Sequence, residues 1–222
     1  LSYGTPLVPK NPAEAVREGD FNDVPVISGG NHDEMRSFIG GVIQQNGAIS
    51  KERYAELMRN SFGDQAEVVM AEYPLSDFDN PSLAWATLAT DVSWACQTYE
   101  GDRQLAEHTE VYAYEFADPN APNVNQINVP EFPQAAAHAN DLPYLFDLQG
   151  TDMLTTPEQE KLAAQMIGYW TSFAHDGAPK ADDSPSWSGF DGEGPVMSLK
   201  PDPGPTDFAA DHKCGFWQGL ES

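Results

Sequence analysis

Val24-Pro25-Val26-Ile27-Ser28 is a short apolar run closed by Gly29-Gly30, and Asn31-His32-Asp33-Glu34 comes directly after it. The run reads as a buried strand and the glycines as its end. In open α/β sheets, functional groups gather beyond the carboxyl ends of strands. An acid at Asp33 or Glu34 therefore stands where chemistry is often placed, although acidic loops are common in so acidic a chain. A second run, Val111-Tyr112-Ala113-Tyr114-Glu115-Phe116, is rich in β-formers and reads as another strand. Beyond it lies Ala135-Ala136-Ala137-His138-Ala139-Asn140-Asp141, whose small residues leave the His138 imidazole accessible to a reacting group. On its own, His138 reads more readily as a hydrogen-bonded loop histidine.

The segments around these strands are mostly helical or irregular. Residues 1–23 are loop-like, with Pro6, Pro9 and Pro12. Tyr54, Leu57, Met58 and Phe62 make one apolar helix face, and Gly63 stops that helix. Asn80-Pro81 reads as an N-cap with Pro at the first helical position, and Leu83, Leu88, Val92, Cys96 and Tyr99 continue a mostly buried helix. Residues 117–150 are rich in Pro, Asn and Asp and form a long irregular segment, the kind that often carries function. Thr156-Pro157-Glu158-Gln159 is a capping box. Leu162, Met166, Ile167, Trp170 and Phe173 give the helix after it an apolar side, with Gly177 just past its end. Residues 178–194 are polar and turn-rich, and Pro195-Val196-Met197-Ser198-Leu199 reads as a third, edge strand. Three short strands so far apart make a poor sheet by themselves. The chain, which begins without Met, is expected to be the later part of a larger α/β sheet.

Composition narrows the partners. Eleven Lys+Arg against 35 Asp+Glu give a formal charge of −24, which repels nucleic acid phosphates and anionic lipid. The acids are dispersed, as on a solvated surface. No run of about 18 apolar residues suggests a membrane span, and no signal peptide is visible. Cys96 and Cys214 belong to no C-x-x-C pair and are either two buried thiols or one long-range disulfide. Among the remaining histidines, His32 sits among polar neighbours, His108 in a charged stretch, and His212 near the C-terminus. His175 stands near a helix end, where it can complement the dipole.

An acid after one strand and a histidine after the next match the later members of an α/β-hydrolase triad, whose chain order is Ser, acid, His. No G-x-S-x-G and no HGGG-like run occurs in this sequence. With these two places paired, the chain resembles the C-terminal portion of a type-B carboxylesterase, the family of the cholinesterases and bacterial para-nitrobenzyl esterases. Several motifs appear in family order. Pro9-Lys10-Asn11-Pro12 and Gly19-Asp20-Phe21-Asn22-Asp23-Val24-Pro25-Val26 resemble the lead-in to the acid strand. Gly30-Asn31-His32-Asp33-Glu34 resembles the family's G-x-N-x-D-E, with Met35 where many members have Gly. Ala137-His138-Ala139-Asn140-Asp141-Leu142-Pro143-Tyr144-Leu145-Phe146 resembles the histidine segment, with Ala139 in place of a frequent Gly. Tyr169-Trp170-Thr171-Ser172-Phe173-Ala174 and Trp187 resemble the later helix and its loop.

The resemblance implies that residues 1–222 form the C-terminal portion of a single α/β-hydrolase domain. It implies ester hydrolysis with Glu34 as triad acid and His138 as general base. The serine and oxyanion hole would come from a separate N-terminal chain or segment, the substrate would be a small-molecule ester, and no metal or organic cofactor would be needed. Phe38, one turn past Glu34 if that segment is helical, could line the substrate pocket. Cys96 and Cys214 match positions bridged by a disulfide in many secreted members, which implies a secreted or extracytoplasmic protein, with a bacterial source as the expectation. No Asn-x-Ser/Thr sequon with x other than Pro is present. Two other readings remain, an inactive proteolytic fragment and a non-catalytic esterase-like binding protein. Such binding relatives usually lose triad members, and here both Glu34 and His138 are present.

Overall fold

The computed structural model describes residues 3–148 and 150–221. Four strands form one mixed sheet in the order β1-β2-β3-β4. β1 (Val26–Asn31) runs parallel to β2 (Val111–Phe116), which runs parallel to β3 (Val196–Leu199). β4 (Gly204–Thr206) is antiparallel to β3. Helix α1 (Pro12–Arg17) precedes β1. Between β1 and β2 lie α2 (Met35–Asn46), α3 (Lys51–Phe62), α4 (Ala66–Glu72), α5 (Pro81–Thr90) and α6 (Cys96–Ala106). After β2 come α7 (Leu142–Leu145) and α8 (Pro157–Asp176), and after β4 come α9 (Phe208–Asp211) and α10 (Cys214–Glu221). No helix among the described residues is long and apolar enough to cross a membrane.

The central strand has helices on both faces, so apart from Glu115 its residues enter apolar cores on both sides. Val111 and Ala113 join one core with Met58, Val69, Tyr73, Leu88 and Trp217. Tyr112 and Phe116 point the other way and join Tyr144, Leu162, Met166 and Tyr169. Val196 enters the first core, and Met197 and Leu199 the second, as the period of two requires.

The capping signals act as the sequence suggests. Asn80 Oδ1 accepts from the Leu83 amide at 3.0 Å, and Gly63 closes α3 at φ 53°. Thr156 Oγ1 accepts from the Gln159 amide at 3.2 Å. The reciprocal half of the box is shifted, because Gln159 Oε1 accepts from the Thr155 amide at 3.0 Å rather than from Thr156. Its Nε2 instead reaches the Asn120 carbonyl at 2.8 Å and ties the long segment after β2 to α8. Gly177 takes φ 75° at the helix end.

Several features differ from the sequence reading. Pro12–Arg17, in the stretch read as loop-like, forms α1, with Asn11 Oδ1 accepting from the Ala13 amide at 3.1 Å, and Leu142–Leu145 forms a short helix within the irregular segment. β1 does not stop at the glycines but continues to Asn31. A side chain at Gly29 would run into the Tyr114 carbonyl and ring on β2, so glycine is what keeps this strand close to its neighbour. β3 is not the edge, because β4 pairs outside it, and all four β3 residues are buried. The helix beginning at Pro81 is interrupted by a π-helical turn, Asp91–Ala95, whose wider winding rotates α6 relative to α5. Ile167 faces outward and is 46% exposed, because Met166 already occupies the core-facing position on that turn.

Cys96, at the start of α6, is joined by a disulfide to Cys214, at the start of α10, with Cα atoms 5.2 Å apart and a sequence separation of 118. The bond ties the C-terminal helix to the middle of the chain across the first core. Closing so long a loop restricts the unfolded chain strongly. The Cys96→Ala/Cys214→Ala variant is expected to lose about 4–5 kcal/mol in chemical denaturation. A loss under about 1 kcal/mol would show that the bond constrains little.

Candidate active site

The carboxyl ends of β1 and β2 lie side by side, with Asn31 paired opposite Phe116. The turn after β1 carries Glu34, and the long segment after β2 returns to the same end of the sheet carrying His138. Three hydrogen bonds knit the two loops. The Asp33 amide donates to the Ala136 carbonyl at 3.0 Å, the His138 amide to the Glu34 carbonyl at 3.3 Å, and Asn31 Nδ2 to the Ala137 carbonyl at 2.8 Å. Asn31 Nδ2 also reaches Asp141 Oδ1 at 3.1 Å, beyond the histidine.

The side chains then meet across 104 residues of sequence, with His138 Nδ1 2.7 Å from Glu34 Oε2. The other carboxylate oxygen, Oε1, accepts from the Asn31 amide at 2.9 Å. Glu34 is 5% exposed, so both its oxygens are used and its rotamer is fixed. Gly30 leaves room for it, since a Cβ there would come within 3.3 Å of Oε1. The His138 side chain is 44% exposed, and its Nε2 has no hydrogen-bond partner among the described residues. A neutral imidazole held this way carries its proton on Nδ1, toward the carboxylate, and turns an unprotonated Nε2 outward, ready to accept a proton.

The loop geometry bears on two departures from the family pattern. Ala139 takes φ 71°, a left-handed conformation that glycine adopts freely and alanine only at a cost, so a glycine suits this position. Met35 is the first residue of α2, and its half-buried side chain packs against the cluster of Ile39, Ile43 and Phe132. Asp33, the other acid of the segment, points elsewhere and pairs with Arg36 at 2.9 Å. It does not approach His138.

Phe38 lies on the first turns of α2, about half exposed, with its ring centroid 5.1 Å from that of His138. Trp94 joins it, although nothing in the sequence singles it out as a site residue. It stands on the π-helical turn, 5.5 Å from His138 and stacked 6.4 Å from Phe38. Two aromatic rings thus flank the exposed imidazole. The only local signal for Trp94 is an aromatic in an otherwise helical pattern, and its placement depends on the π turn.

His212, unremarkable in sequence, is 2% exposed and lies between two buried carboxylates. Its Nδ1 is 2.6 Å from Asp91 Oδ1 and its Nε2 is 2.5 Å from Glu115 Oε1. Burial opposes the charged ring, but hydrogen bonds to Asp91 and Glu115 prevail and raise its pKa to about 9. His32 is likewise desolvated yet raised to about 11 by Asp211 and Asp33.

A small cavity opens beside Glu34, bounded by Trp94, Tyr99, Asp102 and Tyr114. Burial raises the Asp102 carboxyl to about 6, against a hydrogen bond with Ser28 that lowers it. The folded state therefore holds this proton more tightly than the unfolded chain. Stability is favoured below the carboxyl's ordinary range and falls as pH rises toward 6. Asp102→Asn is expected to flatten that decline and to gain roughly 2–3 kcal/mol near neutral pH. Denaturation curves of the intact protein between about pH 4 and 8 check this, and parallel profiles for the two proteins would refute it.

Comparison with known proteins shows what the chain is similar to. A model described as the carboxylesterase family matches residues 2–217. The cocaine esterase of Homo sapiens is 25% identical over 230 residues, covering 96% of this chain and 40% of that protein. The fumonisin B1 esterase of Sphingopyxis macrogoltabida is 26% identical over 199 residues, covering 84% of this chain and 34% of that protein. A solved thermophilic PNB esterase superposes with a TM-score of 0.66 at 20% identity, covering 96% of this chain and 41% of that one, which shows a shared fold. The chain spans about 40% of the length of the human relative.

Proposed function

The chain belongs to the carboxylesterase family, and we propose that it contributes the acid, Glu34, and the general base, His138, of a Ser-His-Glu triad that hydrolyses carboxylic esters. The observation that carries this reading is the 2.7 Å contact between His138 Nδ1 and a buried Glu34 Oε2, with Nε2 left facing outward. The nucleophilic serine and the oxyanion-hole amides belong to a separate N-terminal chain or segment. β1 is the edge of the sheet among the described residues, and five of its six residues are only half-buried, which suits further parallel strands docking there. The partial coverage of the relatives is consistent with this division.

In the proposed reaction the serine hydroxyl attacks the ester carbonyl while His138 Nε2 takes its proton. Glu34 holds the imidazole in the required tautomer and stabilises the imidazolium that forms. Backbone amides on the serine-bearing segment stabilise the tetrahedral oxyanion. His138 then returns the proton to the leaving alkoxide, giving the acyl-enzyme. Water attacks that ester with His138 again as base, which releases the acid and restores the serine. Phe38 and Trp94 form an apolar wall for the substrate beside the imidazole. The Cys96–Cys214 bond favours an extracytoplasmic, oxidising location.

Labelling the intact protein with a fluorophosphonate serine-hydrolase probe, read on a denaturing gel, tests the reading. Label is expected on the serine-bearing polypeptide that accompanies this chain. A folded preparation containing that polypeptide but taking no label would exclude hydrolysis and favour a non-catalytic relative.

A further inference from the structure

Apart from the Glu34–His138 pair, ligating side chains from three parts of the chain converge. They are His32 from the turn after β1, Glu115 near the end of β2, and Asp211 and His212 at the end of α9. One ligand atom from each lies within 4.8 Å of every other. Two imidazoles with two carboxylates are a donor set for zinc and related transition ions, whereas calcium and magnesium prefer oxygen alone.

The surroundings of the two rings point the same way. Each ring has its Nδ1 against an outer carboxylate, His212 with Asp91 at 2.6 Å and His32 with Asp33 at 3.3 Å. Those outer acids are themselves anchored. Tyr73 donates its hydroxyl to Asp91 at 2.8 Å, and Arg36 pairs with Asp33 at 2.9 Å. Both Nε2 atoms are therefore aimed at the inner carboxylates, His212 at Glu115 and His32 at Asp211. Metal-binding histidines almost always have such a partner on the second nitrogen, because it fixes the tautomer and ring direction.

We propose that His32, Glu115, Asp211 and His212 form a binding site for one divalent transition-metal ion of the zinc class. The ion is structural and takes no part in ester cleavage. It would clamp the turn that carries Glu34 to the end of β2 and to the C-terminal helices. Tetrahedral zinc with bonds of about 2.1 Å separates neighbouring ligand atoms by about 3.4 Å. The His32–Asp211 pair already stands at 3.3 Å, the His212–Glu115 contact, now 2.5 Å, must open by about 1 Å, and any pair near the 4.8 Å limit must draw in by about 1.4 Å. Glu115 and His212 are 2% exposed, while the Asp211 side chain is 52% exposed and gives an ion a route in from solvent.

The test uses the intact protein, stripped with a chelator and titrated with zinc alone by calorimetry. One zinc per chain is expected with micromolar or tighter affinity, together with a rise in Tm. Cobalt(II) at the same site is expected to give the intense visible bands of a four-coordinate ion. His32→Gln and Asp211→Asn are on the accessible side of the cluster and should fold. Each is expected to weaken zinc binding by on the order of 10- to 100-fold, and the rise in Tm on adding zinc should shrink in step, whatever the Tm of the metal-free variant. Unchanged affinity in both variants would overturn the site. So would equal binding of calcium, which would mark diffuse attraction to the acidic surface, or no zinc uptake at roughly 100-fold molar excess.

Discussion

His138→Ala in the intact protein is expected to lower kcat by about 10⁴- to 10⁶-fold while leaving KM within a few-fold of the parent. Among the described residues, the imidazole is the group flanked by Phe38 and Trp94 whose outward nitrogen can take a proton from an incoming hydroxyl. In the proposed triad, alanine would leave the serine without a base and the leaving alkoxide without an acid, so both half-reactions would fail together. The substitution removes a ring that is 44% exposed, and the backbone bonds that join its loop to the acid turn remain. Tm should therefore fall little, and loss of activity with a preserved melting curve separates chemistry from unfolding. Fluorophosphonate labelling should slow in parallel, because the probe also needs an activated serine. Near-normal turnover would remove His138 from the mechanism.

Glu34→Gln is expected to cost about 10²- to 10⁴-fold in kcat. The direction comes from the hydrogen bonds. The Asn31 amide donates to one Glu34 oxygen at 2.9 Å, so the carbonyl oxygen of a glutamine would keep that contact. Its NH₂ then faces His138 Nδ1, where a donor meets a nitrogen that should itself donate. The ring must present an unprotonated Nδ1, which leaves the proton on Nε2, the wrong tautomer for accepting one from the serine of the proposed triad. Since glutamine keeps the shape of the side chain, protein yield and Tm should change little. Glu34→Asp keeps the charge but withdraws the carboxylate by one methylene and should fall between the parent and Glu34→Gln. If Glu34→Gln matched the parent in kcat, the 2.7 Å contact would be structural only.

Much of the scaffold is readable from sequence because its signals are local. β-rich runs mark both β1 and β2, and the cap residues Asn80, Thr156 and Gly177 act where a helix-start or helix-stop rule places them. The acid and the histidine are legible for a related reason, since each lies beyond a strand and parallel strands put their carboxyl ends together. The features that sequence misplaces are long-range in origin. Gly29 reads as a strand end because glycine is a poor strand former, yet the closeness of Tyr114 makes it the residue the strand requires. β3 reads as an edge because Pro195 precedes it, and β4 is too short to show. Ile167 reads as core because apolar spacing does not say which of two adjacent residues faces the sheet.

An α/β chain with an acid and an imidazole beyond successive strands is written in the sequence, because strand propensity and chain order are properties of neighbouring residues. The family motifs that point to Glu34 and His138 are written there too. What belongs to the folded chain is how that acid is aimed, since the Asn31 amide and Gly30 direct Glu34 inward while Arg36 holds Asp33 away. Folding also brings Trp94 to the imidazole and buries His212 between Asp91 and Glu115. Those contacts join residues about 40 to 120 positions apart, and their energy comes from desolvation and from hydrogen bonds that exist only once the sheet and its flanking helices have packed.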